Sequence, residues 1–473
     1  PGRNIIMTDA HGEILPGSDT KYYEPQDGLN LVLTIDEVIQ HFAEKAVENA
    51  VIENKAKRVT AIVMDPKTGD ILGMTSKPDF DNNDPRKIPE ELADKWGTMS
   101  EKEQLEALYK IWRNPAISDS YEPGSTFKVI TSSAGLEENV VKPDDHFNCI
   151  GHITVAGIKL KCWRSYRPHG VQTFAEAVKN SCNPVFVEVG QRLGKEKLYK
   201  YIKAFGFGSP TGVNLPGEAS GIVRNLSGIG PVDLANNSFG QGISVTPIQL
   251  IAAFSAVAND GFLMEPRIAK KVIDDEGKTV NEFESRTVRQ VISKETSATM
   301  RQILEFAVGP TASSYIPGYK VAGKTGTAQK AEGGRYVPGK FVSSFCGFAP
   351  ANDPKVTVLV VIDEPGGNQY FGGVIAAPVA KSIIYDTLRY MDVKPQYTEE
   401  EQKLMAKPLV KVPEVRNMPL KDAIKELTKS KLKYSVEAEY EHSMESTILD
   451  QTPKPGADIN EGSIVILNAK PIQ

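Results

Sequence analysis

The chain has 473 residues, 40% of them apolar and 24% charged with both signs mixed, which is the balance of ordinary globular domains and enough length for roughly two to four folding units. A net charge of -5 and a pI near 5.9 exclude the basic footprint of a nucleic-acid binder. No stretch reaches the roughly 18 to 20 apolar residues of a spanning helix, and four cysteines are too few for a disulfide scaffold.

Residues 1–28 are rich in Gly, Pro and Asp and read as an irregular segment, and the start at Pro1 reads as the interior of a longer chain. "LVLTID" alternates like a strand and runs into a helix with Val38, Ile39, Phe42, Ala46, Val47 and Ala50 at helical period; Thr34 and Glu37 have capping-box spacing. "VTAIVMDPKTGDILGMTS" reads as a hairpin, residues 90–310 as mostly helical, and "FVSSFCGFAPANDPKVTVLVVIDE" as two more strands followed by the helix "APVAKSIIYDTLRYM". Strands at both ends with helices between predict one sheet assembled from distant segments, an α+β arrangement. The charged "TEEEQKLMAK" reads as a linker, and the rest as a small β-α-β-β unit around Leu420, Ala423, Ile424 and Leu427.

Within "YEPGSTFKVI", Ser125 stands three residues before Lys128 at the start of a helical run, so the two share a face. A serine hydroxyl is a weak nucleophile until its proton is taken, and lysine takes it once desolvation or neighbouring charge lowers its pKa. The spacing alone is weak, because Ser430 and Lys433 repeat it where a solvated pair is the simpler reading. Two further strings add weight. "KNSCNPV" places Ser181 and Asn183 on either side of Cys182, and "VAGKTGTAQ" supplies Lys324, Thr325, Gly326 and Thr327. Lys67-Thr68-Gly69 copies the last motif, but in a hairpin turn where turn chemistry explains it. SxxK, a Ser/Asn motif and Lys-Thr-Gly, in that order, are the set used by penicillin-binding proteins and class A β-lactamases.

The sequence resembles class B penicillin-binding proteins along nearly its whole length, in "RNPAISDSYEPGSTFK", "NNSFGQGISVTPIQL", "VAGKTGTAQK" and "GGVIAAPVAKSI". From "VPEVRNMPLKDAIKEL" to "QTPKPGADINEGSIVIL" it resembles a PASTA domain. The resemblance implies an α+β transpeptidase fold, an antiparallel sheet flanked by helices, over residues 29–395. Residues 1–28 would be the remnant of an N-terminal pedestal, 396–407 a linker and 408–473 the PASTA unit. It further implies a serine-type peptidoglycan D,D-transpeptidase that is acylated by β-lactams and uses no organic cofactor and no nucleic acid. Such an enzyme would sit on the extracytoplasmic face of the membrane, held by a helix absent here, beside a membrane glycosyltransferase.

By the same resemblance, Ser125 would attack a D-alanyl-D-alanine stem with Lys128 as base, Ser181 relaying the proton and Asn183 holding the donor amide. Lys324 would supply positive charge, with Thr325, Gly326 and Thr327 binding the substrate and the N–H groups of Ser125 and Thr327 forming the oxyanion hole. A single PASTA unit points to the sporulation branch and cortex synthesis; a vegetative septal enzyme, a D,D-carboxypeptidase or β-lactam sensor, and a wall-binding scaffold are the alternatives.

Cys149, Cys162, Cys182 and three histidines (His146, His152, His169) crowd into residues 146–182. "CIGHITVAGIKLKC" reads as a hairpin turning at Ala156-Gly157, which brings Cys149 and Cys162 together. A Cys149–Cys162 disulfide, buried free thiols, or a structural zinc on Cys149, Cys162, His169 and Cys182 are the readings open to that cluster. Cys346 reads as strand packing.

Overall fold

The structure is a computed structural model describing residues 2–9, 11, 13–15, 21–25, 27–89, 92–333, 335–405, 408–436 and 443–470. Residues 406–407 of the expected linker, and 437–442 and 471–473 of the small unit, therefore lie outside the described residues.

The chain divides into two compact units, residues 1–34 with 268–284, and 35–267 with 285–473. The first is a three-stranded antiparallel sheet, ordered Thr279–Glu282, Ala269–Ile273, Asn30–Leu33, with a two-stranded pair Arg3–Ile5 and Lys21–Tyr23. Residues 268–284 thus form strands where the sequence reads as part of a mostly helical middle. Their charged, turn-punctuated pattern lacks a helical apolar stripe.

In the second unit the helices used below are α1 (Glu37–Asn54), α2 (Lys128–Glu137), α3 (Asn183–Ala204), α4 (Pro247–Ala258), α5 (Gly372–Tyr390), α6 (Glu399–Met405) and α7 (Leu420–Lys429). The strands used below are β1 (Arg58–Met64), β2 (Ile71–Lys77), β3 (His152–Val155), β4 (Ile158–Lys161), β5 (Ala322–Glu332), β6 (Arg335–Ala349) and β7 (Val356–Asp363). Helix α1 opens at Asp36, whose carboxylate accepts from the Val38 and Ile39 N–H groups at 3.0 and 3.1 Å. Thr34 is not the cap that its spacing from Glu37 suggested, because Asp36 fills that role and the Thr34 N–H donates to Ile268 O.

Five strands form one antiparallel sheet in the order β5-β6-β7-β1-β2, so segments more than 250 residues apart lie side by side. In β1, Val59, Ala61 and Val63 face the core made with α1 and α5, where Ile39, Ala43, Val47, Ile375, Ile383 and Leu388 pack. The alternate residues Thr60, Ile62 and Met64 are buried too, and every residue of α4 is buried. Both faces of the central strands are therefore covered, which explains why β1 and β7 read as unbroken apolar runs rather than as alternating ones. At about 1.5–3 kcal/mol for each large apolar side chain fully buried, this core makes the sheet a rigid support for the edge strand β5.

The C-terminal segment from Leu409 packs its own core of Val412, Val415, Leu420, Leu427, Ile448, Val465 and Leu467. The charged stretch before it is not plain coil. It holds α6, whose Glu401 carboxylate accepts from the Tyr315 hydroxyl and from the Gly318 N–H at 3.0 Å.

Candidate active site

Three segments converge where β5 borders the start of α2 and the start of α3. Ser125 stands in the 3₁₀ turn Gly124–Phe127 that leads directly into α2, and Gly124 takes φ +53 to admit the turn. The turn is backed by Gly240, whose carbonyl accepts from Gly124 N–H at 3.0 Å. A Cβ on Gly240 would lie 2.1 Å from Gly124 O, and its φ is +87, so this glycine within "SFGQG" lets the loop touch the nucleophile turn. The motif reading did not single it out; its doubled glycines were the available signal.

Lys128 is 0% exposed, and its Nζ lies 3.1 Å from Ser125 Oγ, 2.9 Å from Ser181 Oγ, 2.7 Å from Ser181 O and 2.6 Å from Asn183 Oδ1. The Ser181 hydroxyl donates to Ser125 Oγ at 2.8 Å. Burial first, then the Lys324 charge, push the Lys128 ammonium well below the ordinary lysine range. A neutral amine has two N–H donors and one lone pair. The donors suit the two carbonyl oxygens, Ser181 O and Asn183 Oδ1, and the lone pair is left for the Ser125 proton. Phe186, which sequence reasoning missed, lies under the amine with its ring centroid 5.3 Å from Nζ.

Ser181 is presented by strain. It holds φ +53, a left-handed conformation that costs a non-glycine residue about 1–3 kcal/mol. Cys182, fully buried, follows as the N-cap of α3, and Asn183 opens the helix. Ser181 and Asn183 therefore face Lys128 while the Cys182 side chain between them turns into the wall behind.

On β5, Lys324 is 4% exposed, and Gly326 lies so close to the nucleophile turn that a Cβ there would be 2.9 Å from Pro123 O. Thr325 and Thr327 take the alternate face, half-buried, and Thr327 Oγ1 accepts from Gly372 N–H at 3.0 Å. Among the described residues β5 pairs only with β6, so as an edge strand it offers an extended peptide a row of backbone donors and acceptors. The two look-alike motifs stay apart from the cluster: Gly69 of Lys67-Thr68-Gly69 takes φ +82 in a turn, and Ser430 caps α7.

Behind Ser181, the side chains of Cys149, Cys162, His169 and Cys182 place one ligand atom each within 4.8 Å of all the others. The hairpin β3–β4 turns at Ala156 and Gly157, both with positive φ, as its sequence predicts. All four cysteines of the chain are free thiols. A hydrogen bond from Cys182, with help from His169, holds the Cys162 thiol below the ordinary thiol range, while the same bond and burial push Cys182 up. His169 Nδ1 lies 3.6 Å from Cys162 Sγ, and its Nε2 is buried without a protein partner.

Comparisons with known proteins agree with this geometry. Residues 59–385 match the penicillin binding protein transpeptidase domain and residues 410–469 the PASTA domain. Stage V sporulation protein D of Bacillus subtilis is 42% identical over 97% of this chain and 68% of its own length. PbpB of Mycobacterium tuberculosis is 32% identical over 79% of this chain and 54% of its own length. Among solved structures, penicillin-binding protein 3 of Mycobacterium tuberculosis complexed with ampicillin superposes with a TM-score of 0.68 at 30% identity, covering 79% of this chain and 80% of that one.

Proposed function

This chain belongs to the penicillin-binding protein transpeptidase family and is a serine-type D,D-transpeptidase, and on that premise we propose how its residues divide the work and where it acts. The observation that carries the division of labour is the buried Lys128 amine shared by Ser125, Ser181 and Asn183. Lys128 takes the proton as Ser125 Oγ attacks the penultimate D-alanine carbonyl of a stem peptide. The N–H groups of Ser125 and Thr327 receive the oxyanion, and Lys324, Thr325 and Thr327 hold the terminal carboxylate. Asn183 steadies the donor amide. Ser181 passes the proton to the departing D-alanine nitrogen, so the C–N bond breaks as the ester to Ser125 completes. An amine from a second stem then forms the new amide and returns the proton to Ser125. A β-lactam enters by the same attack and remains as the ester.

The 42% identity to stage V sporulation protein D, together with a single PASTA unit, supports a role in spore cortex synthesis at the extracytoplasmic face. A membrane anchor and a glycosyltransferase partner are part of this proposal; no helix among the described residues is itself long and apolar enough to cross a membrane.

The cluster behind Ser181 fits a structural zinc. Three thiols and one imidazole are a usual ligand set, and neighbouring ligands in a zinc tetrahedron stand about 3.8 Å apart, within reach of the observed spread. The buried His169 Nε2 without a partner is what a ligating imidazole nitrogen would leave in the absence of the ion. Cys149, Cys162, His169 and Cys182 would hold the ion, which with four ligands supplies folding energy rather than activated water.

Intact mass after incubation with benzylpenicillin tests the core of the reading. One adduct is expected, on the peptide containing Ser125, and none in Ser125→Ala; retained labelling in that variant would overturn the assignment.

A further inference from the structure

Ser181 occupies a place in the fold that normally goes to glycine. The short helix Phe174–Lys179 ends on Asn180, and the next two N–H groups turn back onto it. Ser181 N–H donates to Val178 O at 3.2 Å and Cys182 N–H to Ala177 O at 3.0 Å. That pair of bonds is the Schellman cap, whose residue just past the helix end is left-handed and most often glycine. Here it is Ser181, at φ +53, so the site keeps a hydroxyl where the backbone favours no side chain. Rotating the Asn180–Ser181 peptide plane by about half a turn would carry Ser181 into the extended region and release its strain.

The carbonyl in that plane is held against such a rotation. The Trp163 indole Nε1–H donates to Asn180 O at 2.9 Å. Asn180 Nδ2 in turn donates to Oε1 of the buried Gln172 at 2.9 Å, which fixes the side chain of the same residue. Residues 161–163 meet the catalytic loop one after another: Lys161 O accepts from Asn183 Nδ2 at 3.3 Å, Cys162 shares a hydrogen bond with Cys182, and Trp163 reaches Asn180. The Trp163 ring also lies edge-on to the His169 imidazole, 5.7 Å between centroids. With Asn183 Oδ1 taken by Lys128 and one amide N–H by Lys161 O, one N–H of Asn183 remains for a donor amide carbonyl. Trp163 itself is 37% exposed, so losing its N–H should leave the fold in place.

We propose that Trp163 is a positioning residue for acylation: its indole N–H pins the Asn180–Ser181 peptide, which keeps the Ser181 hydroxyl aimed at Ser125 Oγ and the departing nitrogen. The proposal rests on the reading of Ser181 as the proton relay. In that step Ser125 Oγ bonds to the acyl carbon, the C–N bond breaks, and the Ser125 proton, taken up by Lys128, reaches the leaving nitrogen through Ser181. A thioester differs only at the end. Its C–S bond breaks and the thiolate leaves with its electron pair, while the proton goes from Lys128 to solvent. A slack Ser181 should therefore slow the expulsion of an amine and spare that of a thiolate.

Acylation of Trp163→Phe by two substrates tests this: benzylpenicillin, whose leaving group is a ring nitrogen, and N-benzoyl-D-alanyl-thioglycolate. Benzylpenicillin acylation should slow about fivefold, the effect of one neutral hydrogen bond, while kcat/KM for the thioester changes by less than about twofold. The melting temperature should stay close to that of the parent. Ser181→Ala should discriminate between the substrates in the same sense and more strongly. Should Trp163→Phe melt well below the parent, benzothienylalanine at position 163, which keeps the ring shape and puts sulfur in place of the N–H, takes its place in the same comparison. Equal slowing of both substrates by the Trp163 variant, or no slowing of either, overturns the proposal when Ser181→Ala discriminates. If Ser181→Ala slows both substrates alike, the relay reading fails and the proposal falls with it.

Discussion

Lys128 can serve as a base only because it is buried against Lys324 with no carboxylate at its amine. Lys128→Ala should slow β-lactam acylation by at least the roughly 10²- to 10⁴-fold typical of a positioned base; stopped-flow acylation kinetics check it. Gly240→Ala is expected to act on the same turn from behind. The new Cβ would strike the Gly124 carbonyl from a backbone at φ +87, so both stability and acylation should fall, read by thermal melting and by penicillin labelling. Glu364 gives a residue-scale expectation for pH. Burial alone would raise its carboxyl, but hydrogen bonds from Lys330 and Lys57 outweigh that and hold it at about 2. A folded pKa below the unfolded one means the stabilisation is present above about pH 4.3 and is lost as pH falls toward 2. Glu364→Gln should therefore lower the melting temperature at pH 7 and converge with the parent as the pH approaches 2.

At the scale of the element, the cysteine cluster and the Asn183 contact to Lys161 O tie the hairpin β3–β4 to the first turn of α3. Zinc bound to the native state alone adds to folding stability by mass action. Protein purified without added metal should contain about one equivalent of zinc by elemental analysis, in line with a closed four-ligand site. Chelation should lower the melting temperature. It should also slow acylation, because Cys182 stands between Ser181 and Asn183 and its release frees the strained Ser181. Less than about a tenth of an equivalent of zinc, with a Cys149–Cys162 disulfide in a non-reducing peptide map, would favour the disulfide.

For the whole molecule, the separate apolar core of the C-terminal unit and a docked α6 set where the chain can be cut. A chain ending at Met405 keeps the Glu401 contacts to Tyr315 and Gly318 and should acylate within about twofold of the full chain. One ending at Met391 also loses the Tyr319 hydroxyl bond to Val393 O and should melt several degrees lower, since each lost hydrogen bond is worth about 1 kcal/mol. Differential scanning fluorimetry and penicillin labelling of the two truncated chains compare these outcomes directly.

The motifs were legible in the sequence because they are local. A 3₁₀ turn into a helix brings Ser125 to Lys128, a two-residue turn with positive φ makes the β3–β4 hairpin, and an apolar heptad-like run makes α1. These depend on backbone geometry within a few residues, which residue type controls. Other features needed chain segments that meet only on folding. The 2.6 Å contact of Lys128 with Asn183 spans 55 positions, and the Gly240 approach to Gly124 has no mark in spacing. The strands at 268–284, read as part of a helical middle, are strands because Asn30–Leu33 pairs with them across the chain. The same holds for the depressed lysine. Charge and composition name the groups present, but a pKa depends on the solvent and charges displaced around each group, and those are set only when distant segments pack.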